Sequence, residues 1–248
     1  NRDFILFTII FIILVAVGIS NPNFVTLKSL SDVLTDTSIL IILALSQMIV
    51  ILIRAIDLSV ASNLALSGML ISLLSQIYPD LPLIFFILLS CGIGALLGLF
   101  NGLVIAVLKV PFIVTTLGTL SIYRGLIYFV SDGKQVYSHE FSDSFLSFIH
   151  VKFLSLTSLF WFAVCVFIII YILLNYTKFG RNIYALGGNP EAAKYIGINE
   201  NRYIIAAYVL SGFFAGLCGY LWVARYSVAS TQIAIGFELT VISACVVG

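Results

Sequence analysis

The sequence predicts an all-α fold, a polytopic bundle of transmembrane helices, and three observations predict it. Of the 248 residues, 61% are hydrophobic and only 9% are charged, whereas an ordinary soluble domain carries about 25% charged residues. So much apolar surface cannot be hidden in one water-soluble core, and lipid must solvate much of it. Apolar runs as long as a bilayer core requires, about 20 residues in helix, recur along the chain. Short polar segments rich in Pro and Asn separate them.

The runs fall at 4–20, 37–53, 60–78, 83–108, 112–130, 158–175 and 203–224, and residues 238–248 begin an eighth. Asn21-Pro22-Asn23, Pro79-Asp80-Leu81-Pro82 and Lys109-Val110-Pro111 punctuate them. The first run lacks the small-residue exit of a cleavable signal and is followed by further spans. The chain opens on Asn1 and stops at Gly248 inside an apolar run. The expectation is therefore one membrane domain, 1–248, open at both ends, with its C-terminal spans missing.

A net charge of +1 gives no reason to expect nucleic acid. Cys91, Cys165, Cys218 and Cys245 lie in apolar runs without a CxxC pair, and read as small buried hydrophobes. His139 and His150 lie eleven apart in one loop and read as surface residues; no metal site is expected. Gly94, Gly98 and Gly102 make two GxxxG steps, and Gly212 and Gly216 another, a spacing that lets helix backbones approach closely in lipid.

Short loops that carry positive charge stay on the cytoplasmic side. A cytoplasmic N-terminus places Arg2, Arg54, Lys109, Lys178, Arg181, Lys194 and Arg202 inside, outnumbering Lys28, Lys134, Lys152 and Arg225 outside. Asp32, Asp36, Asp80, Asp132, Glu140 and Asp143 then face out.

Two connections are longer than they need to be. Residues 131–157 are polar with interspersed aromatics. Residues 176–201, on the cytoplasmic side, contain a short helix of their own. Asn189 is a good N-cap, Pro190 suits the first helical position, Glu191 complements the positive helix end, and Gly197 is a natural stop. Ala192, Ala193, Tyr195 and Ile196 are then available for contact. So short a helix is unstable alone, so it packs on the bundle or the lipid headgroups, or it plugs into a partner; spacing alone leaves both open.

Residues 179–198, followed by 208–219, resemble the ribose/rhamnose/autoinducer-2 type of ABC importer permease. Further matching pieces are Ile56-Asp57-Leu58-Ser59-Val60, Phe100-Asn101-Gly102, residues 111–119 with Tyr123-Arg124-Gly125, and Gly236-Phe237-Glu238-Leu239. They follow the family's order over nearly the whole chain. Asn63-Leu64-Ala65-Leu66-Ser67-Gly68 and residues 218–223 are closest to rhamnose permeases, with autoinducer-2 permeases near. Ala55 and Ala61 stand where the family often has Gly.

The resemblance implies the type II ABC importer permease fold in a bacterial inner membrane. It implies a second permease subunit, two cytoplasmic ATPase subunits and a periplasmic sugar-binding protein, with no cofactor and no catalysis on this chain. It maps an ATPase-coupling segment onto Gly188, Asn189, Pro190, Glu191, Ala192, Ala193, Tyr195 and Gly197. The cargo is a monosaccharide, with rhamnose first and autoinducer-2 or ribose as alternatives.

Polar residues inside spans usually face the bundle interior or water. Arg54 and Asp57, three apart, could pair; alternatively Asp57 or Ser59 caps the third span while Arg54 snorkels to the headgroups. Asn101, Thr115, Thr119, Tyr123 and Arg124 are candidates for a sugar pathway, and Thr116 shares their stretch. Interhelical hydrogen bonding would explain the same residue types. Arg124 is expected to pair with Glu238. No GxxxxGK[ST] occurs, so ATP hydrolysis belongs to another chain. An ion-coupled secondary transporter would need carboxylates at midplane, and an intramembrane enzyme would need HExxH or paired mid-span aspartates; neither pattern is present.

Overall fold

The computed structural model describes residues 2–21, 26–154 and 156–247; Asn1, Pro22, Asn23 and Gly248, which bear on the reading of ends and turns, lie outside them. Helices α1 (Arg2–Ser20), α2 (Leu27–Leu52), α3 (Val60–Ile77), α4 (Leu83–Ala106) and α5 (Phe112–Ser131) come first. A 3-10 turn (Ser138–Glu140), α6 (Asp143–His150) and a hairpin of β1 (Lys152–Phe153) and β2 (Leu156–Thr157) follow. Then come α7 (Ser158–Tyr176), α8 (Lys178–Gly188), α9 (Pro190–Tyr195), α10 (Glu200–Tyr226) and α11 (Phe237–Val247). Among the described residues, six helices, α2, α3, α4, α5, α7 and α10, are long and apolar enough to cross a membrane, and Phe7–Ser20 and α11 are shorter apolar helices.

The punctuation acts where it was expected. Pro82 and Pro111 stand in extended geometry immediately before α4 and α5. Their fixed φ and missing N–H suit a helix start. The second span begins earlier than its apolar run, because the Thr26 side chain accepts a hydrogen bond from the Ser29 N–H (3.2 Å) and caps a polar first turn. Residues 131–157 hold a 3-10 turn, α6 and a hairpin, not an open loop.

The bundle has two ends. A hinge face carries residues 53–59, 107–111 and 177–199, and Lys109 Nζ donates to Asn201 Oδ1 across it (2.6 Å). A cap face carries 78–82, 132–154, 156–157 and 227–236. There Gln76 donates to Glu140 (2.9 Å), Val136 bridges Ala229, and Arg225 meets Asp36 (2.9 Å), the salt bridge seen among the described residues.

At the centre is α10, which packs most extensively on α4, then on α3 and α2. Its seam with α4 is made of glycines. A Cβ on Gly94 would lie 2.2 Å from Gly212 O, one on Gly98 2.1 Å from Tyr208 O, and one on Gly216 2.1 Å from Ser90 O. The Ser90 hydroxyl donates to Gly216 O across the same seam. On its other side, a Cβ on Gly219 would lie 2.5 Å from Leu64 O. The outward faces are apolar instead: Phe4, Phe7 and Phe11 of α1 and Phe167, Ile168 and Ile172 of α7 are exposed, as lipid contact requires.

Overfilling a packed contact costs about 1–3 kcal/mol, and more where backbone must move. Gly212→Val should therefore part α10 from α4 and lower the melting temperature of detergent-purified protein by several degrees. Gly92→Ala, whose Cβ meets nothing within 4 Å, should leave it unchanged.

Candidate functional site

The hinge face holds a connected set of polar side chains and capped helix ends. After α7, the Thr177 side chain accepts from the Gly180 N–H (3.3 Å) and starts α8. Gly180 has no room for a side chain, since a Cβ would lie 1.9 Å from Leu174 O. Helix α8 buries Ile183 and Leu186 against the bundle. Asn182 hydrogen-bonds the Tyr203 hydroxyl, and Phe179 packs on the Tyr203 ring (5.8 Å).

Asn189 ends α8 and begins α9. Its Oδ1 accepts from the Ala192 N–H (3.0 Å), and Pro190 takes the first helical position. Ile198 N–H reaches Ala193 O (3.0 Å) and Gly197 N–H reaches Lys194 O (3.0 Å), with Gly197 at φ 85°. This paired closure is the Schellman motif, and Gly is its preferred residue. The cap and stop read from the sequence are thus in place. One expectation is corrected: Ala193 is not available for contact, being 2% exposed. Tyr195 and Ile196 are 91% and 74% exposed and form the apolar tip.

Helix α2 ends in the same motif, but with an arginine at its turn. Ala55 N–H reaches Val50 O (3.2 Å), Arg54 N–H reaches Ile51 O (2.9 Å), and Arg54 has φ 61°. Left-handed backbone costs a side-chain-bearing residue about 1–2 kcal/mol. The guanidinium offsets it: Nε donates to Gly187 O (2.6 Å) and Nη2 to Gly188 O (2.7 Å), the last carbonyls of α8. A cation there also opposes the helix dipole. Gly187 makes the approach possible, since a Cβ on it would lie 1.9 Å from Leu52 O.

Arg54 therefore does not pair with Asp57. The left-handed turn at Arg54 directs the guanidinium to the end of α8, away from Asp57. Asp57, 2% exposed, points into the bundle. Its Oδ1 accepts from the Ser59 N–H (2.9 Å) and hydroxyl (2.6 Å), and its Oδ2 from the Ser211 hydroxyl of α10 (3.3 Å). Asn101 of α4 donates through Nδ2 to Ser59 Oγ (2.8 Å), and the Tyr208 hydroxyl donates to Ile56 O (3.2 Å). Burial pushes the Asp57 carboxyl above the ordinary carboxylate range, against the pull of its hydrogen bonds from Ser59 and Ser211. Ser211 and Tyr208 were not singled out from the sequence. Polar side chains on an otherwise apolar helix were the signal available.

The remaining candidates divide. Thr119 donates to its own helix at Thr115 O (3.1 Å), and the Tyr123 hydroxyl to Leu97 O (2.8 Å). Arg124 forms no salt bridge with Glu238. Its Nη1 donates to Ile233 O (2.6 Å) and its Nη2 to Ala234 O (3.0 Å), which fixes the turn before α11. Asn101 Oδ1, Thr115 Oγ1 and Glu238 Oε2 are buried without hydrogen-bond partners. Leaving a buried donor unsatisfied costs about 1–3 kcal/mol, so Asp57→Ala, which strands the donors of Ser59 and Ser211, should lower the melting temperature well below that of Asp57→Asn.

The model for branched-chain amino acid transport system permease components matches residues 29–248. The galactose/methyl galactoside import permease MglC of Escherichia coli is 34% identical, over 98% of this chain and 77% of the relative. The ribose import permease RbsC of Haemophilus influenzae is 35% identical, over 98% and 75%. The autoinducer 2 import system permease LsrC of Klebsiella pneumoniae is 35% identical, over 100% and 71%. No solved structure gives a significant match. These relatives are transport permeases, not enzymes. The chain is a multi-pass membrane protein that belongs to the branched-chain amino acid transport system/permease component family.

Proposed function

We propose that this chain is the membrane-spanning permease of an ATP-driven monosaccharide importer in a bacterial inner membrane. The observation that carries the reading is the α8–α9 assembly: an apolar tip, Tyr195 and Ile196, presented outward on a capped helix that is bolted to the bundle. Solvent alone gives no reason to hold two large apolar side chains so rigidly in the open. A nucleotide-hydrolysing partner docking there accounts for both the exposure and the mounting.

On this reading Gly188, Asn189, Pro190, Glu191, Ala192, Tyr195 and Gly197 form the docking segment, and Ala193 anchors it from beneath. The hinge face and the N-terminus are cytoplasmic, in accord with the Arg and Lys residues gathered at that end. The cap face receives a periplasmic sugar-binding protein, and a second permease subunit completes the pathway.

For the sugar we propose rhamnose, on the likeness of 63–68 and 218–223 to rhamnose permeases. The relatives named above import galactose, ribose and autoinducer 2, and each belongs in the assay. Asn101 and Thr115, each with a buried oxygen lacking a partner, are the residues we propose for sugar contact when the spans part. Thr119, Tyr123 and Arg124, bonded within the protomer, act as scaffold.

Two measurements test this. Proteoliposomes with the neighbouring ATPase and sugar-binding protein should take up labelled rhamnose only with ATP inside. Uptake of galactose, ribose or autoinducer 2 instead corrects the sugar, and no ATP-dependent uptake of any of them rejects the reading. A Tyr195→Cys variant should cross-link to the ATPase subunit; no cross-link, together with normal uptake after deletion of 190–196, rejects the docking role.

A further inference from the structure

We infer that Arg54 is the pin that carries movement of α8–α9 into the spans, a role that rests on the docking reading above. The covalent path from the tip to α10 runs through 196–199, a turn closed by left-handed Gly197. A second path is built of side chains. The Arg54 guanidinium grips the carbonyls of Gly187 and Gly188 at the α8–α9 joint. Three residues on, Asp57 is held by Ser59 at the start of α3 and by Ser211 in the middle of α10. Ile56 between them accepts from Tyr208, also on α10. A displacement of the joint therefore pulls on 54–57, and these residues pull on α3 and α10 together. Asn101 brings α4 into the same connection through Ser59.

The choice of residue supports this reading. The Schellman turn at the end of α2 favours Gly, and φ 61° there is unfavourable for arginine. Arginine contributes two charge-assisted hydrogen bonds to another element, and those bonds are what the unfavourable backbone secures. Arg54 touches neither sugar nor nucleotide on this account; it is a positioning residue.

The backbone preference also supplies a clean test. Arg54→Gly removes the grip while giving the turn the residue it favours, so the permease should keep its melting temperature. In reconstituted transporter, Arg54→Gly carrying Tyr195→Cys should still cross-link to the ATPase subunit and hydrolyse ATP. Sugar moved per ATP should fall by about tenfold, within the ~5–150-fold span typical of coupling between sites. Arg54→Lys, which keeps the charge but not the two-pronged fork, should fall between. An unchanged ratio of transport to hydrolysis in Arg54→Gly overturns the pin. Loss of folding or of the cross-link in that variant also overturns it, because Arg54 would then serve assembly. If Tyr195→Cys fails to cross-link even with Arg54 intact, the docking reading fails first.

Discussion

Everything at the hinge depends on how closely α10 lies against α4. Gly94, Gly98, Gly212 and Gly216 bring the two backbones together where lipid offers no hydrophobic gain for association. With α10 at that distance, Ser211 reaches Asp57 and Tyr208 reaches Ile56 O. On α4, Asn101 reaches Ser59 one turn beyond the seam, and Asn63 of α3 donates to Gly94 O within it (3.1 Å). A side chain at any of these glycines would disturb the packing and the polar connections together. Close packing and buried hydrogen bonding are thus one constraint here, because a polar group in a membrane interior is tolerated only when its partner is in reach.

The two clamping arginines solve one problem at opposite ends of the molecule. The last carbonyls of a helix, and those of a turn outside regular structure, take their partners from elsewhere. Arg54 satisfies Gly187 and Gly188, and Arg124 satisfies Ile233 and Ala234. Each guanidinium bonds two consecutive carbonyls of a turn that lies far away in sequence. The planar fork suits this task, and a lysine ammonium would not reproduce it. Acidic partners are unnecessary, which explains why Arg124 stands beside the turn before α11 without a salt bridge to Glu238.

The spans were legible because hydropathy and helix length are local properties. The runs at 60–78, 83–108 and 112–130 correspond to α3, α4 and α5 with ends moved by at most a few residues. The cap of α9 was legible for the same reason: Asn189, Pro190 and Gly197 act on their own backbone. Helix α8 was not seen although Phe179, Ile183 and Leu186 recur at helical spacing, because its three glycines obscure that stripe; Leu52, Leu174 and Tyr203 pack beneath it. The partners of Arg54 and Arg124 were not legible either. Both are main-chain carbonyls, which every residue has, so no side-chain pattern marks them. Charge spacing pointed to Asp57, Glu238 was a guess at an acidic partner for Arg124, and the left-handed turn at Arg54 is visible only once the chain is folded.

Asn189 closes one helix and opens the next with no residue to spare between them. A helix advances about 100° per residue, so adding or removing a single amino acid at this corner would swing Tyr195 and Ile196 onto a different side. The elbow thereby fixes the compass bearing of the tip as well as its reach. This corner admits no change of length.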